Sequence, residues 1–486
     1  MAIPQTEFSP MIVGGKRREA SDGGTIESFN PATGETIGSF PRATAADVDA
    51  TVVAASQAFA DWRRADPAQW RDSLFALAVK IEQHGDELAR LDVQDNGSPI
   101  REMTNDVRFA VDCLRYYASL VMQIQGSTIP TSHDRINYTL RQPFGVVGRI
   151  IPFNHPLLFA ASRIGAPLAA GNTVIIKPSE HTSLSALRIG ELAQQVLPPG
   201  VVNVITGLGS DAGDALVTHP DVRRLSFTGS AETGRRILAR SASTNLKSVT
   251  LELGGKNPLV VFPDADLEKA VDAAVRGMNF TWQGQSCGST SRLIVHRDVY
   301  AGFVDALASK VDQIRSGDPA DPDTQTGALV NRSQLDKVLS FLKIGADEGA
   351  RLVAGGTQLT DGDLGKGFFV RPTVFADVDP FSRLAQEEIF GPVLAAMPFT
   401  DHADALRIAN STQYGLTASV FTSDLATAHR YARDVEAGYV WVNEVSRHVS
   451  ATPFGGWKDS GLGREEDLSE VESFTQVKNV HINVEG

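Results

Sequence analysis

Two patterns of apolar and polar positions divide the chain near residue 136. Before that point apolar residues recur at helical spacing, as at Leu74, Leu77 and Ile81, and this period predicts amphipathic helices. Beyond it, short apolar runs alternate with helical patterns, which predicts parallel strands in a doubly wound sheet. The predicted elements here are strands at Val146–Ile151, Thr173–Ile176, Val201–Ile205 and Arg224–Phe227 and helices at 183–196, 211–218 and 231–240.

A second α/β series follows a break at Gly254-Gly255. Strand-like segments lie on both sides of this break, at Lys247–Leu253 and Pro258–Phe262, and a helix is predicted over 266–279. No low-complexity tract or linker separates the two series. We therefore expect two α/β units that pack closely, with an active site between them.

Composition narrows the class of protein. The 486 residues include 42% hydrophobic and 21% charged residues, which is ordinary usage for a globular protein. The net charge of -13 argues against nucleic-acid and anionic-membrane partners, and no apolar stretch reaches the ~20 residues that cross a bilayer. With two cysteines, Cys113 and Cys287, a disulfide framework is excluded and a cytoplasmic setting is expected.

Cys287 is the candidate nucleophile. It lies between a helical stretch and a strand, among the small residues and glycines of Gln283–Thr290, where a backbone can approach a ligand closely. A buried structural thiol is the commoner role of a free cysteine and remains an alternative. A papain-type nucleophile is a weaker one, because Thr290 and Ser291 stand where that signature needs cysteine and an aromatic residue. Cys113, in an apolar helical stretch, is expected to be a core residue.

Glu252 and Asn154 are candidates for proton transfer and oxyanion stabilisation. Glu252 ends an apolar strand beside two glycines, and partial burial there raises the pKa of a carboxyl group toward the range of a general base. Asn154 follows a strand and stands between two prolines, so its amide can donate to a developing oxyanion. Each residue alone also fits a structural interpretation, as a solvated edge carboxylate or as a turn asparagine.

Two glycine-containing segments are candidate phosphate sites. Gly207–Gly213 follows a strand, but it has one residue too many before its third glycine. It also lacks the acidic residue about twenty positions later that the dinucleotide fingerprint needs. Phe227–Gly234 is the better candidate, because a strand ends there and a helix begins, and the N–H groups at a helix N-terminus can hold a pyrophosphate. An ordinary capped helix start is the alternative.

Taken in order, eight segments resemble the NAD(P)-dependent aldehyde dehydrogenase superfamily over almost the whole chain. They are Pro152–Pro156, Ile176–Glu180, Phe227–Ser230, Glu252–Lys256, Gly284–Cys287, Glu387–Pro392, Pro453–Lys458 and Ser460–Arg464. The resemblance implies an α/β fold of two doubly wound domains with a small β oligomerisation element, and a homodimer or homotetramer. It assigns 1–123 and 143–253 to a dinucleotide-binding domain, 254–452 to a catalytic domain, and 124–142 and 453–486 to the oligomerisation element.

The resemblance also implies a chemistry. Cys287 attacks an aldehyde as a thiolate, Asn154 and the Cys287 N–H stabilise the oxyanion, and Glu252 activates the water that releases a carboxylic acid from a thioester. The implied cofactor is NAD, with NADP as the alternative, and no metal site is implied. The implied cofactor contacts are Lys177, Glu180, Gly229, Ser230, Glu388, Phe390 and Phe153.

By the same resemblance, the residues of the substrate pocket are Phe159, Ser162, Trp282, His448 and Phe454. Ser162 stands where relatives often have tryptophan, and Phe153 and His155 also depart from the usual residues. Aromatic walls, with the space left by Ser162, favour a bulky neutral aldehyde, either aromatic or long-chain. Arg163 stands where lysine is usual and is expected to point away from the pocket.

Three alternative functions remain. A coenzyme A-acylating dehydrogenase would resolve the thioester with a thiol, and such relatives generally lack the base at Glu252. A semialdehyde dehydrogenase would need a group that recognises an anionic tail, for which His448 is a candidate. A catalytically silent, structural or binding member of the family would have lost Cys287 or Asn154, and both are present.

Overall fold

The structure is a computed structural model that describes residues 7–485. The first six residues and Gly486, which the domain prediction includes, lie outside the described residues. Two large and three small sheets organise the described chain. Between residues 7 and 485, no helix is long and apolar enough to cross a membrane.

The first large sheet has eight strands, and its five central strands are parallel. From one edge to the other they are Gly461–Leu462, Ser248–Glu252, Val222–Thr228, Val146–Ile150, Thr173–Lys177, Val202–Val204, Met11–Val13 and Lys16–Arg18. The helices of this part of the chain are Ala45–Trp62, Pro67–Gln83, Gly85–Asn96, Ile100–Leu120, Pro156–Ser162, Gly165–Ala169, Leu184–Ala193, Asp214–Thr218 and Ala231–Ser241. Parallel strands joined by helices confirm the predicted doubly wound α/β fold.

Consecutive residues of the central strands enter different apolar clusters. Val174 and Ile176 pack on one face of the sheet, whereas Ile175 packs on the other, because side chains alternate across a strand. All five residues of Thr173–Lys177 are buried, as expected for a parallel strand with both faces covered. The charged side chains that are buried within these strands, such as Arg149 and Arg224, are hydrogen-bonded inside the protein, which leaves the strand ends for contacts with a ligand.

The second large sheet has seven strands, all parallel to their neighbours except the antiparallel edge strand Arg351–Ala354. The other strands, in spatial order, are Thr373–Ala376, Val393–Phe399, Arg292–His296, Pro258–Val261, Thr417–Phe421 and Tyr439–Val442. The accompanying helices are Leu267–Gly277, Arg297–Asp312, Arg332–Asp347, Arg383–Gln386, His402–Ala409 and Leu425–Asp434. The sheet again has a separate apolar cluster on each face.

The small sheets use the chain termini and the segment after the fourth helix. Thr475–Asn483 pairs antiparallel with Arg135–Pro143 along its whole length, Thr128–Ile129 adds a third strand, and the helix Leu468–Ser473 precedes them. Five apolar side chains of this sheet are exposed, namely Ile129, Ile136, Leu140, Val477 and Ile482. The other small sheets are Glu7–Phe8 with Thr36–Pro41 and Thr25–Phe29, and Tyr414–Gly415 with Trp457–Lys458.

Some predicted boundaries differ from the observed ones. The helix predicted over 183–196 ends at Ala193, ahead of the prolines at 198 and 199, which disfavour helical backbone before them. The helix predicted over 211–218 begins with a π-helical turn at Gly209–Gly213 and becomes regular at Asp214–Thr218. Glycine-rich starts of this kind have little preference for regular helix.

Candidate active site

Two cavities meet at Cys287. The larger cavity has a volume of about 630 Å³ and the smaller cavity about 300 Å³. Phe159, Thr228, Glu252 and Cys287 line both of them. Thr228 and Glu252 are the last residues of two parallel strands of the first sheet, so the junction lies at the carboxyl ends of these strands, where ligands bind in open α/β sheets.

The loop that presents Cys287 is tightly constrained. Gln283 and Gly284 both adopt left-handed backbone, with φ of 54° and 66°, and a Cβ at Gly284 would lie 2.2 Å from the Gly391 carbonyl oxygen. Asn257 Nδ2 donates to the carbonyl oxygens of Cys287 (2.7 Å) and Ser289 (2.9 Å). Asn257 therefore holds the nucleophile loop, a role that the sequence analysis missed although the residue directly follows the Gly254–Lys256 segment.

The Cys287 thiol is protonated at neutral pH. Its side chain keeps part of its surface accessible, but the surrounding protein removes water, and the Glu388 and Glu252 carboxyl groups lie close. Burial first, and these two carboxyl groups second, raise the pKa of the Cys287 thiol to about 12. Formation of the thiolate therefore needs a base within the site.

Glu252 is suited to be that base. Its side chain is 4% exposed, and within the described residues neither carboxyl oxygen has a hydrogen-bond partner. Burial, reinforced by the neighbouring Glu465 carboxyl, raises the pKa of Glu252 well above its usual value. A Cβ at Gly455 would lie 2.8 Å from Glu252 Oε1, so this glycine leaves the room that the carboxyl group occupies.

Asn154 and the backbone of Cys287 supply hydrogen-bond donors. Asn154 is buried and its Nδ2 donates to the Gln285 carbonyl oxygen at 2.9 Å, which holds the amide beside the nucleophile loop. The Cys287 N–H has no acceptor in the part of the chain that the structure describes. Together the second Asn154 N–H and the Cys287 N–H are the donors that an oxyanion would need.

The wall of the larger cavity contains the residues predicted for the cofactor. Lys177 is buried, and its Nζ lies 3.3 Å from Glu180 Oε2. Ser230 is the N-cap of the helix Ala231–Ser241, and its hydroxyl accepts from the Thr233 N–H at 3.3 Å. A Cβ at Gly229 would lie 2.4 Å from the Phe227 ring, so only glycine fits between that ring and the cavity.

A second group of predicted cofactor residues lies near Cys287. The Gly255 N–H donates to Glu388 Oε1 at 2.9 Å, and a Cβ at Gly254 would lie 2.1 Å from Glu388 Oε2. The two glycines therefore make space for the Glu388 carboxylate. Phe153 and Phe390 pack edge to face with ring centroids 5.6 Å apart.

The segment that matched the dinucleotide fingerprint poorly also faces the larger cavity. Its residues Leu208, Gly209, Ser210 and Gly213 lie in the wall, together with the better candidate around Gly229. On sequence grounds the second of these segments is the better phosphate candidate, whereas the fold brings both to one cavity. The reason is that both follow parallel strands of the same sheet, Val202–Val204 and Val222–Thr228.

The larger cavity fits a dinucleotide. A helix N-terminus suits phosphate groups, and the carboxylates of Glu180 and Glu388 suit ribose hydroxyl groups. The edge-to-face pair Phe153 and Phe390 provides an apolar surface beside Cys287 for a flat ring. The volume lies within the usual range for cofactor sites, about 300–1,000 Å³.

The smaller cavity contains the residues predicted for the substrate pocket. Its wall includes Phe159, Ser162, Trp282, His448 and Phe454. The Ser162 hydroxyl donates to the Leu158 carbonyl oxygen at 2.7 Å, so toward a ligand it can only accept a hydrogen bond. Cys113 is buried in the core as predicted, yet it also reaches this wall, and burial raises the pKa of its thiol to about 12.

The expectation for Arg163 was wrong. Instead of pointing away, Arg163 lies in the wall of the smaller cavity. Its guanidinium pairs with Glu465 Oε2 at 3.1 Å and Glu466 Oε1 at 3.6 Å. These two buried carboxylates come from the carboxy-terminal segment, which the sequence pattern did not place here, and they draw the arginine toward the cavity.

Two acidic residues of the same wall were also missed. Asp106 Oδ2 lies 2.7 Å from His155 Nδ1, and Glu466 Oε2 lies 3.1 Å from His448 Nδ1. One signal for these two contacts is present in the sequence, namely the histidines themselves. His448 is predicted for the substrate pocket, and His155 departs from the family's usual residue. Their acidic partners are distant in the sequence and are found only in the fold.

Comparison with known proteins identifies the family of this chain. Residues 18–480 match the model of the aldehyde dehydrogenase family. The curated relative named aldehyde dehydrogenase tropH, from Talaromyces stipitatus, is 44% identical over 470 residues, which cover 95% of this chain and 90% of that protein.

Solved structures are similar over the same length. PnpE from Pseudomonas sp. WBC-3, solved in complex with nicotinamide adenine dinucleotide, has a TM-score of 0.96 at 42% identity, over 98% of each chain. The indole-3-acetaldehyde dehydrogenase AldA of P. syringae, solved as a mutant with NAD+ and IAA, has a TM-score of 0.96 at 37% identity, over 99% of this chain and 95% of that one. The chain belongs to the aldehyde dehydrogenase family.

Proposed function

We propose that this protein oxidises bulky neutral aldehydes, aromatic or long-chain, to carboxylic acids with NAD. The observation that carries the proposal is the junction itself. Cys287 and Glu252 line both the cavity that fits a dinucleotide and the cavity with aromatic walls. A nucleophile and a base at the meeting point of two such cavities are what aldehyde oxidation through a covalent intermediate requires.

The proposed chemistry begins at the Cys287 sulfur. Because its pKa is raised, the thiol transfers its proton to Glu252 and attacks the aldehyde carbon, which forms a thiohemiacetal. The Asn154 amide and the Cys287 N–H stabilise the negative oxygen of this adduct. Once hydride loss has converted the adduct into a thioester, Glu252 passes the thiol proton to solvent and then takes a proton from a water molecule. The hydroxide attacks the thioester carbon, the carbon–sulfur bond breaks, and the carboxylic acid and the Cys287 thiolate are released.

NAD, when bound in the larger cavity, accepts the hydride that leaves the adduct. The chain's own contribution is orientation. We assign the ribose hydroxyl groups to Lys177 with Glu180 and to Glu388, and the pyrophosphate to the helix start at Gly229-Ser230. Glu180 also favours NAD over NADP, because a 2′-phosphate would face its carboxylate.

The walls of the smaller cavity support the substrate class. Aromatic side chains from Phe109, Phe159, Trp282, Trp441 and Phe454 surround it, and such surfaces suit a ring or an unsaturated chain. Ser162 leaves space beside them. The similar protein AldA is an indole-3-acetaldehyde dehydrogenase, which supports the acceptance of a large ring in this architecture.

The alternatives are less well supported. A semialdehyde with an anionic tail needs an available cation, but the Arg163 guanidinium already pairs with Glu465 and Glu466. Coenzyme A acylation does not need a base, and Glu252 is present at the junction. A silent member would not need to preserve Cys287 and Asn154 together.

One observation supports assembly into a homodimer or homotetramer. The sheet formed by Arg135–Pro143 and Thr475–Asn483 has exposed apolar residues, and exposed strand edges and apolar patches favour pairing between subunits. The proposed division is therefore a dinucleotide-binding domain (1–123 and 143–253), a catalytic domain (254–452) and an oligomerisation element (124–142 and 453–486). Size measurement in solution tests the assembly.

A panel of aldehydes tests the proposal. NADH production is followed with benzaldehyde, a long unsaturated aldehyde, acetaldehyde and succinic semialdehyde. We expect kcat/KM to be higher for the first two, because only they fill the cavity between its aromatic walls. A preference for acetaldehyde or succinic semialdehyde would contradict the substrate class, and thioester formation only with coenzyme A would favour the acylating alternative.

A further inference from the structure

Two histidines in the wall of the smaller cavity are each held by a carboxylate. His155 Nδ1 lies 2.7 Å from Asp106 Oδ2, and His448 Nδ1 lies 3.1 Å from Glu466 Oε2. Both histidines and both acidic residues line this cavity. The two histidines come from distant parts of the chain. The fold therefore places two separate histidine–carboxylate pairs in one wall.

Both pairs are rigid. The Asp106 and Glu466 side chains are 7% and 10% exposed. The second carboxyl oxygen of Glu466, Oε1, lies 3.6 Å from a guanidinium nitrogen of Arg163. Burial raises the pKa of Glu466, but His448 and Arg163 outweigh it and hold the pKa below the usual value. An ionised carboxylate oriented in this way fixes the ring that it contacts.

Each of these two histidines lines the cavity and has a second ring nitrogen, Nε2. A carboxylate only accepts hydrogen bonds, so each Nδ1 is the donor, and in the neutral imidazole Nε2 is then an acceptor. In the described chain neither His155 Nε2 nor His448 Nε2 has a protein hydrogen-bond partner. In its neutral form, each histidine of the cavity wall therefore offers a lone pair that a ligand can satisfy.

The surroundings select what that ligand group is. His155 packs against Trp282 and Phe159 with ring centroids 5.4 and 5.7 Å away, and His448 packs against Phe454 at 4.8 Å. The polar acceptors are thus set within aromatic walls, which suits a ring with a polar substituent.

The charges of the wall exclude an anion. The carboxyl groups of Asp106, Glu252 and Glu466 line the cavity, and the one guanidinium in its wall, that of Arg163, is already paired. A substrate carboxylate would face like charge without a free cation. A neutral hydrogen-bond donor fits both the lone pairs and the charges.

We propose that His155 and His448 are specificity-determining residues that accept a hydrogen bond from a ring hydroxyl group of the substrate, so that the enzyme prefers hydroxylated aromatic aldehydes. This inference rests on the proposed function and makes its substrate class narrower. Asp106 and Glu466 are the positioning residues that fix the acceptor nitrogens.

Matched substrates test the proposal. The probes are 3- and 4-hydroxybenzaldehyde, each compared with its methoxy analogue, which has similar electronic effects on the aldehyde but no O–H donor. The measured quantity is the ratio of kcat/KM for the hydroxy compound to that for the methoxy compound. In the parent we expect this ratio to exceed one for at least one ring position.

The variants are His155→Phe, His448→Phe and the double variant, with His402→Phe as the control. His402 is a half-buried histidine that stacks on Phe262 outside both cavities. We expect the ratio to fall roughly 3–10-fold in at least one cavity variant, the size of one net hydrogen bond. The control keeps the parent ratio. Because the ratio compares two substrates within one variant, a general loss of activity in a cavity variant leaves it unchanged, and only loss of hydroxyl recognition lowers it.

The outcomes separate the two proposals. In one outcome the protein oxidises benzaldehyde well, but neither the single variants nor the double variant changes the ratio. That outcome overturns the role of the histidines and leaves the bulky-aldehyde function in place. A preference for 4-carboxybenzaldehyde also overturns it, because that result requires charged imidazoles. Poor oxidation of every aromatic aldehyde beside good oxidation of acetaldehyde overturns the proposed function, and this inference with it.

Discussion

The larger and the smaller cavity share Cys287 and Glu252 but are built in different ways. Contacts in the larger cavity come largely from strand ends, a helix start and glycines where any Cβ would collide, as at Gly229 and Gly254. The wall of the smaller cavity consists mainly of side chains from helices, from the nucleophile loop and from the carboxy-terminal segment. One cavity is therefore shaped by backbone geometry, and the other by the choice of side chains.

This difference has a physical reason. Phosphate groups and ribose hydroxyls are the same in every dinucleotide and can be bound by N–H groups and a few carboxylates. A variable substrate group is recognised by the volume and polarity of side chains, which can change without loss of the fold. Three of the four departures from the family's usual residues, Ser162, His155 and Arg163, accordingly line the smaller cavity. The fourth, Phe153, lines the larger one.

The largest expected effect separates the two cysteines. Both thiols lie in the wall of the smaller cavity with pKa values raised to about 12, but Cys287 also lines the larger one. Cys287→Ala should abolish NADH production and preserve NAD binding, whereas Cys113→Ala should leave turnover nearly unchanged. Activity assays with a binding titration check this, and equal losses in the two variants would contradict the assignment.

The next effect concerns the base that both cavities share. Glu252→Gln should slow steady-state turnover by about 10²–10⁴-fold, the usual contribution of one general base. The first burst of NADH should slow less, because water activation follows it. Rapid-mixing measurement of burst and steady state checks the order of these effects. Steady-state turnover close to that of the parent would exclude Glu252 from deacylation.

The pH dependence gives an independent check of Glu252. Because its pKa is raised, the carboxyl group is protonated at low pH and acts as a base only once it has lost the proton. Steady-state turnover should therefore rise as pH increases through that pKa. In Glu252→Gln the deacylation rate should no longer rise with pH. The rate of the NADH burst should keep any rise with pH that comes from ionisation of Cys287.

A third change tests whether the smaller cavity alone selects the substrate. Ser162→Trp places an indole in its wall and should lower kcat/KM for benzaldehyde relative to acetaldehyde by more than roughly 10-fold, the lower end of the range for a change of one methylene group in such pockets. KM for NAD should not change, because Ser162 does not reach the larger cavity. Equal losses with both aldehydes would mean that the pocket is misassigned.

The smallest expected effect belongs to the larger cavity. The parent should use NAD better than NADP, and Glu180→Gln should reduce this preference by about tenfold, equivalent to about 1.4 kcal/mol. The reason is that the substitution removes a charge that opposes the 2′-phosphate. The ratio of kcat/KM for the two cofactors measures it. Equal use of both cofactors by the parent would refute the assignment of Glu180.

Periodicity and motifs in the sequence determined the parallel α/β architecture, the family and the residues at the strand ends. This was possible because strand alternation, glycine requirements and the positions after strands are local properties of the chain. The predicted residues Glu252, Ser230 and Glu388 all line the cavities of the fold.

Tertiary structure alone decided which distant charges meet. Asp106 and His155 are 49 residues apart, Glu466 and His448 are 18 apart, and Glu466 and Arg163 are 303 apart. No periodicity in the chain records such contacts. Arg163 turns toward the cavity for this reason, because buried carboxylates fix the direction of a long cationic side chain more strongly than its position in a helix does.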